Sequence, residues 1–314
     1  MLTLHTVGKG WKRRSTMYEK ILVPLDGSGL AEVALPYAEQ LARRLGSEIC
    51  LIYVSESAEV PQHYIHRFYL QKIGEATKEG TGRTVGESVV KAIKIEPTVL
   101  VGHPAEEIVD YADKEDVSLI VMATHGRSGI RRWALGSVAE KVVRATSRPV
   151  ALIRAKGARA DVREKGAVNK VLVPLDGSKR GEAAIPDVEE LASKLKAEVT
   201  LLQVVPPIYL TPDAEQLKGQ ESFRLAAEDY IKKAAAQFKR KGIAAKAELR
   251  EVRMGSAAEE IIKLADEICA DLVAMSTRGR SDVGPWAFGS VADRVLRGGN
   301  TPILLVRPPG ASTK

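Results

Sequence analysis

Short apolar runs along this 314-residue chain alternate with stretches in which apolar residues recur every three or four positions. Ile21–Val23 is a β-branched and leucine run that ends at Pro24-Leu-Asp-Gly-Ser28, and beyond it Ala31, Leu35, Ala38, Leu41, Ala42 and Leu45 line one face of a helix. The next run, Ile49–Val54, has no polar alternation, as expected of a strand covered on both faces in a parallel sheet. The same succession starts again at Val171–Val173, with Ala183, Ala184, Val188, Leu191, Ala192 and Leu195 on the helix face and Val199–Val205 as the following run. Further strands are predicted at Thr98–Val101 and Glu248–Val252, at Ser118–Ala123 and Leu272–Met275, and at Val150–Ile153 and Ile303–Val306. Helices are predicted to begin at Ala105 and Ala258 and at Ser137 and Ser290. Between the second and third strands the two halves diverge. Phe223–Lys241 reads as a long helix ended by Gly242, whereas Gly74, Gly80, Gly82 and Gly86 predict a broken or looped segment over 74–86.

The recurrence is a duplication. Laid against one another without gaps, residues 20–54 and 170–204 match at 18 of 35 positions, and 101–154 and 254–307 at 24 of 54. A period of about 150 residues is too long for a solenoid repeat, so each copy is expected to be a whole domain with its own core. Alternating strands and helices close most simply as an α/β fold, with two tandem, doubly wound, five-stranded parallel-sheet domains of Rossmann-like type. The divisions read from the chain are a disordered extension over 1–17, domains over 18–154 and 169–308, a linker over 155–168 and a tail over 309–314. Met17-Tyr-Glu-Lys20 runs directly into the first repeat, which makes Met17 a candidate natural start.

Charge and cysteine usage narrow the function classes. The net charge is +7, but the basic residues are scattered and no aromatic-interleaved stretch accompanies them, so nucleic acid is not favoured as a partner. No apolar run reaches the roughly 18 residues of a membrane span, and Met1–Thr16 has no apolar core of a secretory signal after its charges. Cys50 and Cys269 stand at non-equivalent places inside apolar stretches, which supports neither a disulfide framework nor a zinc site and fits a reducing cytoplasm. His63, His66 and His103 lack metal-ligand spacing.

In an open α/β sheet, ligands bind beyond the carboxyl ends of the strands, where two motifs recur. The first is Asp26-Gly-Ser28, matched by Asp176-Gly-Ser178; by itself it reads as a turn in which Asp or Ser caps the next helix. The second is Ala123-Thr-His-Gly126, nine residues, then Gly136-Ser137-Val-Ala-Glu140, matched by Ser276-Thr-Arg-Gly279, nine residues, then Gly289-Ser290-Val-Ala-Asp293. Ser137 with Glu140 and Ser290 with Asp293 read as capping boxes. A helix start preceded by glycine is also an anion cradle, because free N–H groups and the positive end of the helix dipole meet a backbone that a phosphate can approach closely.

With these motifs the chain resembles the universal stress protein family in its tandem form, from Tyr18 to Pro308. Nucleotide-binding members carry Gly-x-x-Gly, nine residues, then Gly-Ser or Gly-Thr, and the resemblance implies a site for ATP or ADP, with Mg²⁺, in one or both domains. It implies that Asp26 with Val54, and Asp176 with Val204, hold the adenosine. Gly126, Gly136, Ser137 and Val138, and Gly279, Gly289, Ser290 and Val291, would hold ribose and phosphates. Ala123 and Ser276 replace the first glycine, and would be strained only if the backbone there needs a positive φ. His125 and Arg278 differ between the copies, so two unequal sites are expected. The resemblance also implies a stress-response regulator or sensor, an intra-chain pseudo-dimer through the last strands, a homodimer, and a protein partner still to be named. Two other readings stand beside it: an interaction scaffold of the same fold that binds no nucleotide, and a slow ATPase. No P-loop and no Gly-x-Gly-x-x-Gly follows the first strand, and no dedicated general base stands beside the loop.

Overall fold

The computed structural model describes residues 18–57, 59–81, 93–126, 135–159, 161–207, 214–252, 255–279 and 289–308. The expected extension and tail, and Gly82 and Gly86, lie outside them. The first repeat runs β1 (Lys20–Leu25), α1 (Gly29–Glu32), α2 (Leu35–Leu45), β2 (Glu48–Ser55), α3 (Val60–Thr81), β3 (Ile95–Val101), α4 (Pro104–Lys114), β4 (Leu119–Ala123), α5 (Ser137–Ala145) and β5 (Val150–Ile153). After a 3-10 turn at Ala155–Gly157 and the short α6 (Val162–Lys165), the second repeat follows with β6 (Lys170–Leu175), a 3-10 turn at Gly181–Ala184, α7 (Ile185–Leu195), β7 (Glu198–Val205) and α8 (Ala214–Arg240). It ends with β8 (Ala245–Glu251), α9 (Ala257–Glu267), β9 (Leu272–Ser276), α10 (Ser290–Gly298) and β10 (Ile303–Val306).

Each half is parallel, with the order β3-β2-β1-β4-β5 in the first and β8-β7-β6-β9-β10 in the second. The two halves join into one ten-stranded sheet where β5 and β10 pair antiparallel, Ala151 opposite Leu304. The central strands β1, β2, β4 and β5 are almost wholly buried, because helices cover both faces and every residue packs. One core lies between the sheet and α2, α3, α7 and α8; the other lies beneath α4, α5, α9 and α10.

Several boundaries differ from the sequence expectation. The first helix is split into α1 and α2, with Pro36 at the start of α2, where its missing N–H costs nothing. The segment over 74–86 is not broken at Gly74, since α3 continues to Thr81. Burial of Leu70 and packing of Ile73 against the sheet offset the roughly 1 kcal/mol that a glycine costs a helix. α8 likewise begins at Ala214, nine residues before Phe223. β3 starts at Ile95, because it pairs with β2 from Ile49 to Ser55; its exposed Glu96 and Pro97 hid it from an apolar pattern. β8, a similarly exposed edge strand, spans Ala245–Glu251. Cys50 is buried in β2, but Cys269 is exposed in the turn after α9, with φ of 51°.

The segment over 155–168 packs as part of the body. Val162, Ala167 and Val168 are buried in the core, and Arg163 grips the buried Glu39 carboxylate with bonds of 2.9 and 3.0 Å. The halves also exchange contacts near their last strands: Arg154 Nη1 donates to Gly299 O (2.6 Å) at the end of α10, and Arg307 Nη1 to Arg144 O (2.8 Å) at the end of α5.

Candidate functional site

β1 and β4 are neighbours in the sheet, yet the chain leaves them toward opposite faces, so a crevice opens at their carboxyl ends. β6 and β9 repeat the arrangement. Asp26 follows β1 directly, and its Oδ1 accepts from Ser28 N (3.0 Å) and Ser28 Oγ (2.6 Å). Ser28 Oγ in turn accepts from Ala31 N (3.2 Å) and caps α1. The second repeat reproduces this with Asp176 and Ser178, at 3.0 and 2.7 Å, and Gly181 N donating to Ser178 Oγ at 3.0 Å.

The other carboxylate oxygen faces the glycine-rich loop. A methyl group built on Gly126 would overlap Asp26 Oδ2, and one built on Gly279 would overlap Asp176 Oδ2. Glycine at these positions lets the loop lie against the aspartate, so the structure brings the two motifs of each repeat into one place. Gly136 N donates to Thr124 O (2.8 Å) and Gly289 N to Thr277 O (2.7 Å), which pins the start of α5 and of α10 beside the same loop.

The capping boxes do not form as expected. Gly136 and Gly289 are the N-cap residues, with extended backbones and no side-chain cap, so Ser137 and Ser290 are the first helical residues. Glu140 instead pairs with Arg144 (2.6 Å), and Asp293 with Arg297 (2.8 Å), each one turn along its helix. Ser137 and Ser290 are exposed at the helix starts, with Val138 half-buried and Val291 exposed. The N–H groups of the first turn have no partner within the helix, which makes this end suited to an anion.

Ala123 and Ser276 are the buried last residues of β4 and β9, and neither is among the described non-glycine residues with positive φ. Both therefore stand in place of glycine without backbone strain. Val54 and Val204 lie one residue before the ends of β2 and β7, half-buried against the core beneath α4 and α9. His125 Nδ1 lies 3.0 Å from Thr124 Oγ1, and Arg278 N donates to Ser276 Oγ at 3.3 Å. Burial, and secondarily the charge of Arg278, hold the Arg307 guanidinium below its usual range. The second repeat thus carries a guanidinium side chain, Arg278, at the loop position where the first carries the imidazole of His125.

Two supporting pairs were not legible in the motifs. Tyr69 OH donates to Glu32 Oε1 (2.8 Å) and Tyr230 OH to Glu182 Oε1 (2.7 Å), tying the long helix of each repeat to the turn beside its aspartate. Burial first, then the Glu32 carboxylate, push the Tyr69 hydroxyl well above its usual range, so it stays a donor. Both tyrosines lie on the long helices α3 and α8, within the segments where the two repeats diverge in sequence, so only the fold shows that they are equivalent. Trp133 and Trp286 lie outside the described residues.

Comparison with known proteins agrees with this architecture. The family model for the universal stress protein family matches residues 17–154 and again 167–307. The universal stress protein YxiE of Bacillus subtilis is 32% identical over 151 residues, covering 44% of this chain and 100% of its own length. A universal stress protein of Mycolicibacterium smegmatis is 24% identical over 307 residues, covering 92% of this chain and 97% of its own. The crystal structure of a universal stress protein from Archaeoglobus fulgidus superposes with a TM-score of 0.65 at 21% identity, over 94% of this chain and 98% of that one, a likeness of fold. The chain therefore belongs to the universal stress protein family and carries two of its domains in tandem.

Proposed function

We propose that the protein binds an adenine nucleotide, ATP or ADP with Mg²⁺, in each repeat and acts as a stress-response regulator or sensor in the reducing cytoplasm. The observation that carries this reading is the repeated convergence of a strand-end aspartate, a loop glycine pressed against it and a glycine-capped helix start at the switch in strand order. In the first repeat Asp26 and Val54 would hold the adenosine, while Gly126, Gly136, Ser137 and Val138 present backbone N–H groups to ribose and phosphates. Asp176, Val204, Gly279, Gly289, Ser290 and Val291 would do the same in the second. The phosphates bring Mg²⁺ with them, and the helix dipoles favour their charge. Binding is the proposed activity and turnover incidental, because Asp26 Oδ1 and Asp176 Oδ1 are engaged by Ser28 and Ser178 and are poorly disposed to act as bases.

Isothermal calorimetry with ATP tests the reading. Two binding events per chain of unequal affinity are expected, with a change in tryptophan fluorescence from Trp133 and Trp286 in the spacers. Absence of heat and of any spectral change at millimolar ATP would leave the scaffold reading, and steady multiple-turnover release of ADP would favour an ATPase.

A further inference from the structure

The carboxyl ends of β5 and β10 each send an arginine across the seam to the site helix of the other repeat. Arg154 follows β5 and Arg307 follows β10, at the same place in the duplicated unit. Arg154 Nη1 donates to Gly299 O (2.6 Å) where α10 ends, and Arg307 Nη1 donates to Arg144 O (2.8 Å) and reaches Thr146 O (3.5 Å) where α5 ends. Gly299 and Thr146 are themselves equivalent in the two copies.

Antiparallel pairing dictates this exchange. Ile303 stands opposite Leu152, so the carboxyl end of β5 lies beside the start of β10, and the residues leading into β10 are those that leave α10. Within one repeat the same contact is out of reach. α5 returns the chain to the amino end of β5, so its last turn and Arg154 lie at opposite ends of a four-residue strand, roughly 13 Å apart.

Each site helix is therefore held by both repeats. Its start is pinned by its own loop, through Gly136 N to Thr124 O in α5 and Gly289 N to Thr277 O in α10. Its end, where the last carbonyls have no partner inside the helix and the dipole is negative, receives a guanidinium from the other repeat. Both helices have nine residues, about 13 Å, and so move as short rods; a shift at the end displaces the first-turn N–H groups at the crevice. The root of each arm is also fixed. Thr124 N donates to Ile153 O and Thr277 N to Val306 O, 2.9 Å each, which ties the loop of one crevice to the arginine that holds the helix of the other.

We propose that Arg154 and Arg307 are positioning residues exchanged between the repeats, a role that rests on the nucleotide reading of the two crevices. Arg307 sets the helix start of the first crevice and Arg154 that of the second, so each crevice is complete only with the other repeat in place.

The test uses the full chain in two backgrounds. Ser290→Asp puts a carboxylate at the start of α10, which the helix dipole favours and a phosphate avoids, and leaves the first crevice to be read; Ser137→Asp does the same at α5 and leaves the second. In the first background, Arg307→Met, which keeps the apolar stem, should cost at least ten times more ATP affinity by calorimetry than Arg154→Met does. In the second background the order should reverse. Arg307→Lys and Arg154→Lys, which keep a charged donor, should lose less than the Met variants. Without nucleotide, amide hydrogen exchange should quicken in α5 for Arg307→Met and in α10 for Arg154→Met, and circular dichroism checks that every variant folds. Unchanged affinity, equal losses at both crevices, or faster exchange in the helix of the arginine's own repeat would overturn the crossed assignment. If the unaltered protein binds no ATP, the nucleotide reading fails, and the exchange pattern by itself decides whether each arm holds the opposite helix.

Discussion

Gly136 and Gly289 are equivalent in sequence but not in surroundings. A Cβ on Gly136 would stand 2.8 Å from the carbonyl oxygen of Thr124, whereas on Gly289 it would stand an ordinary 3.6 Å from that of Thr277. Both have φ near −60°, so backbone conformation does not separate them; only the neighbouring carbonyl does. Gly136→Ala should therefore destabilise the protein by about 1–3 kcal/mol, as overpacking against fixed backbone does. Gly289→Ala should be neutral or stabilising by up to about 1 kcal/mol. Urea denaturation of the two variants side by side checks this, and equal effects would show that the two helix starts are equally tight.

Among the elements, α3 is the clearest case of packing overriding a local signal. Its glycines suggested a loop, yet the segment through Gly74 is helical, with Leu70 buried and Tyr69 bonded to Glu32. A Cβ added at Gly74 would meet Ile95 Cγ2 at 3.5 Å and Leu51 Cδ1 at 3.9 Å, both ordinary contacts. Gly74→Ala is expected to raise stability by roughly 0.5–1 kcal/mol through helix propensity, measured as a higher urea midpoint without loss of far-ultraviolet helicity. A destabilised variant would mean the helix crosses the sheet too closely for a methyl group. The same reasoning explains β3, whose main-chain pairing to β2 holds exposed polar residues in a strand.

At the scale of the molecule, the β5–β10 pairing makes the two repeats one sheet, and a homodimer of chains must use some other surface. The repeats also meet at Asp187 of α7, 1% exposed, whose Oδ1 accepts from Tyr18 OH at 3.2 Å. Burial pushes the Asp187 carboxyl up to about 7, the Tyr18 bond working against that shift and the charge of Glu190 adding to it. Because the folded pKa lies above the value near 3.9 of an unfolded aspartate, the folded state binds more protons than the unfolded one between about pH 4 and pH 7. This group's contribution to stability is therefore greatest below about pH 4, declines as pH rises through about 7 and is constant above. Asp187→Asn keeps an acceptor for Tyr18 without the charge, and should flatten the dependence of the urea midpoint between about pH 4 and pH 7. An identical pH profile in the variant would place the titration elsewhere.

The order of the strands, the doubling of the unit and the residues of the crevice were legible in the chain, because each rests on local period or on turn chemistry that needs particular residue types. Asp26, Gly126 and Gly136 announced themselves as glycine and aspartate at strand ends. What they touch did not. That Asp26 presses on Gly126, that Gly136 rather than Ser137 caps α5, and that Ala123 and Ser276 are unstrained are consequences of backbone angles and of β1 lying beside β4. Arg154 and Arg307 reach the site helix of the opposite repeat only because β5 and β10 pair antiparallel. Spacing along a sequence reports neighbours within an element, whereas contact between elements is set by which strands pair and by how closely their backbones approach.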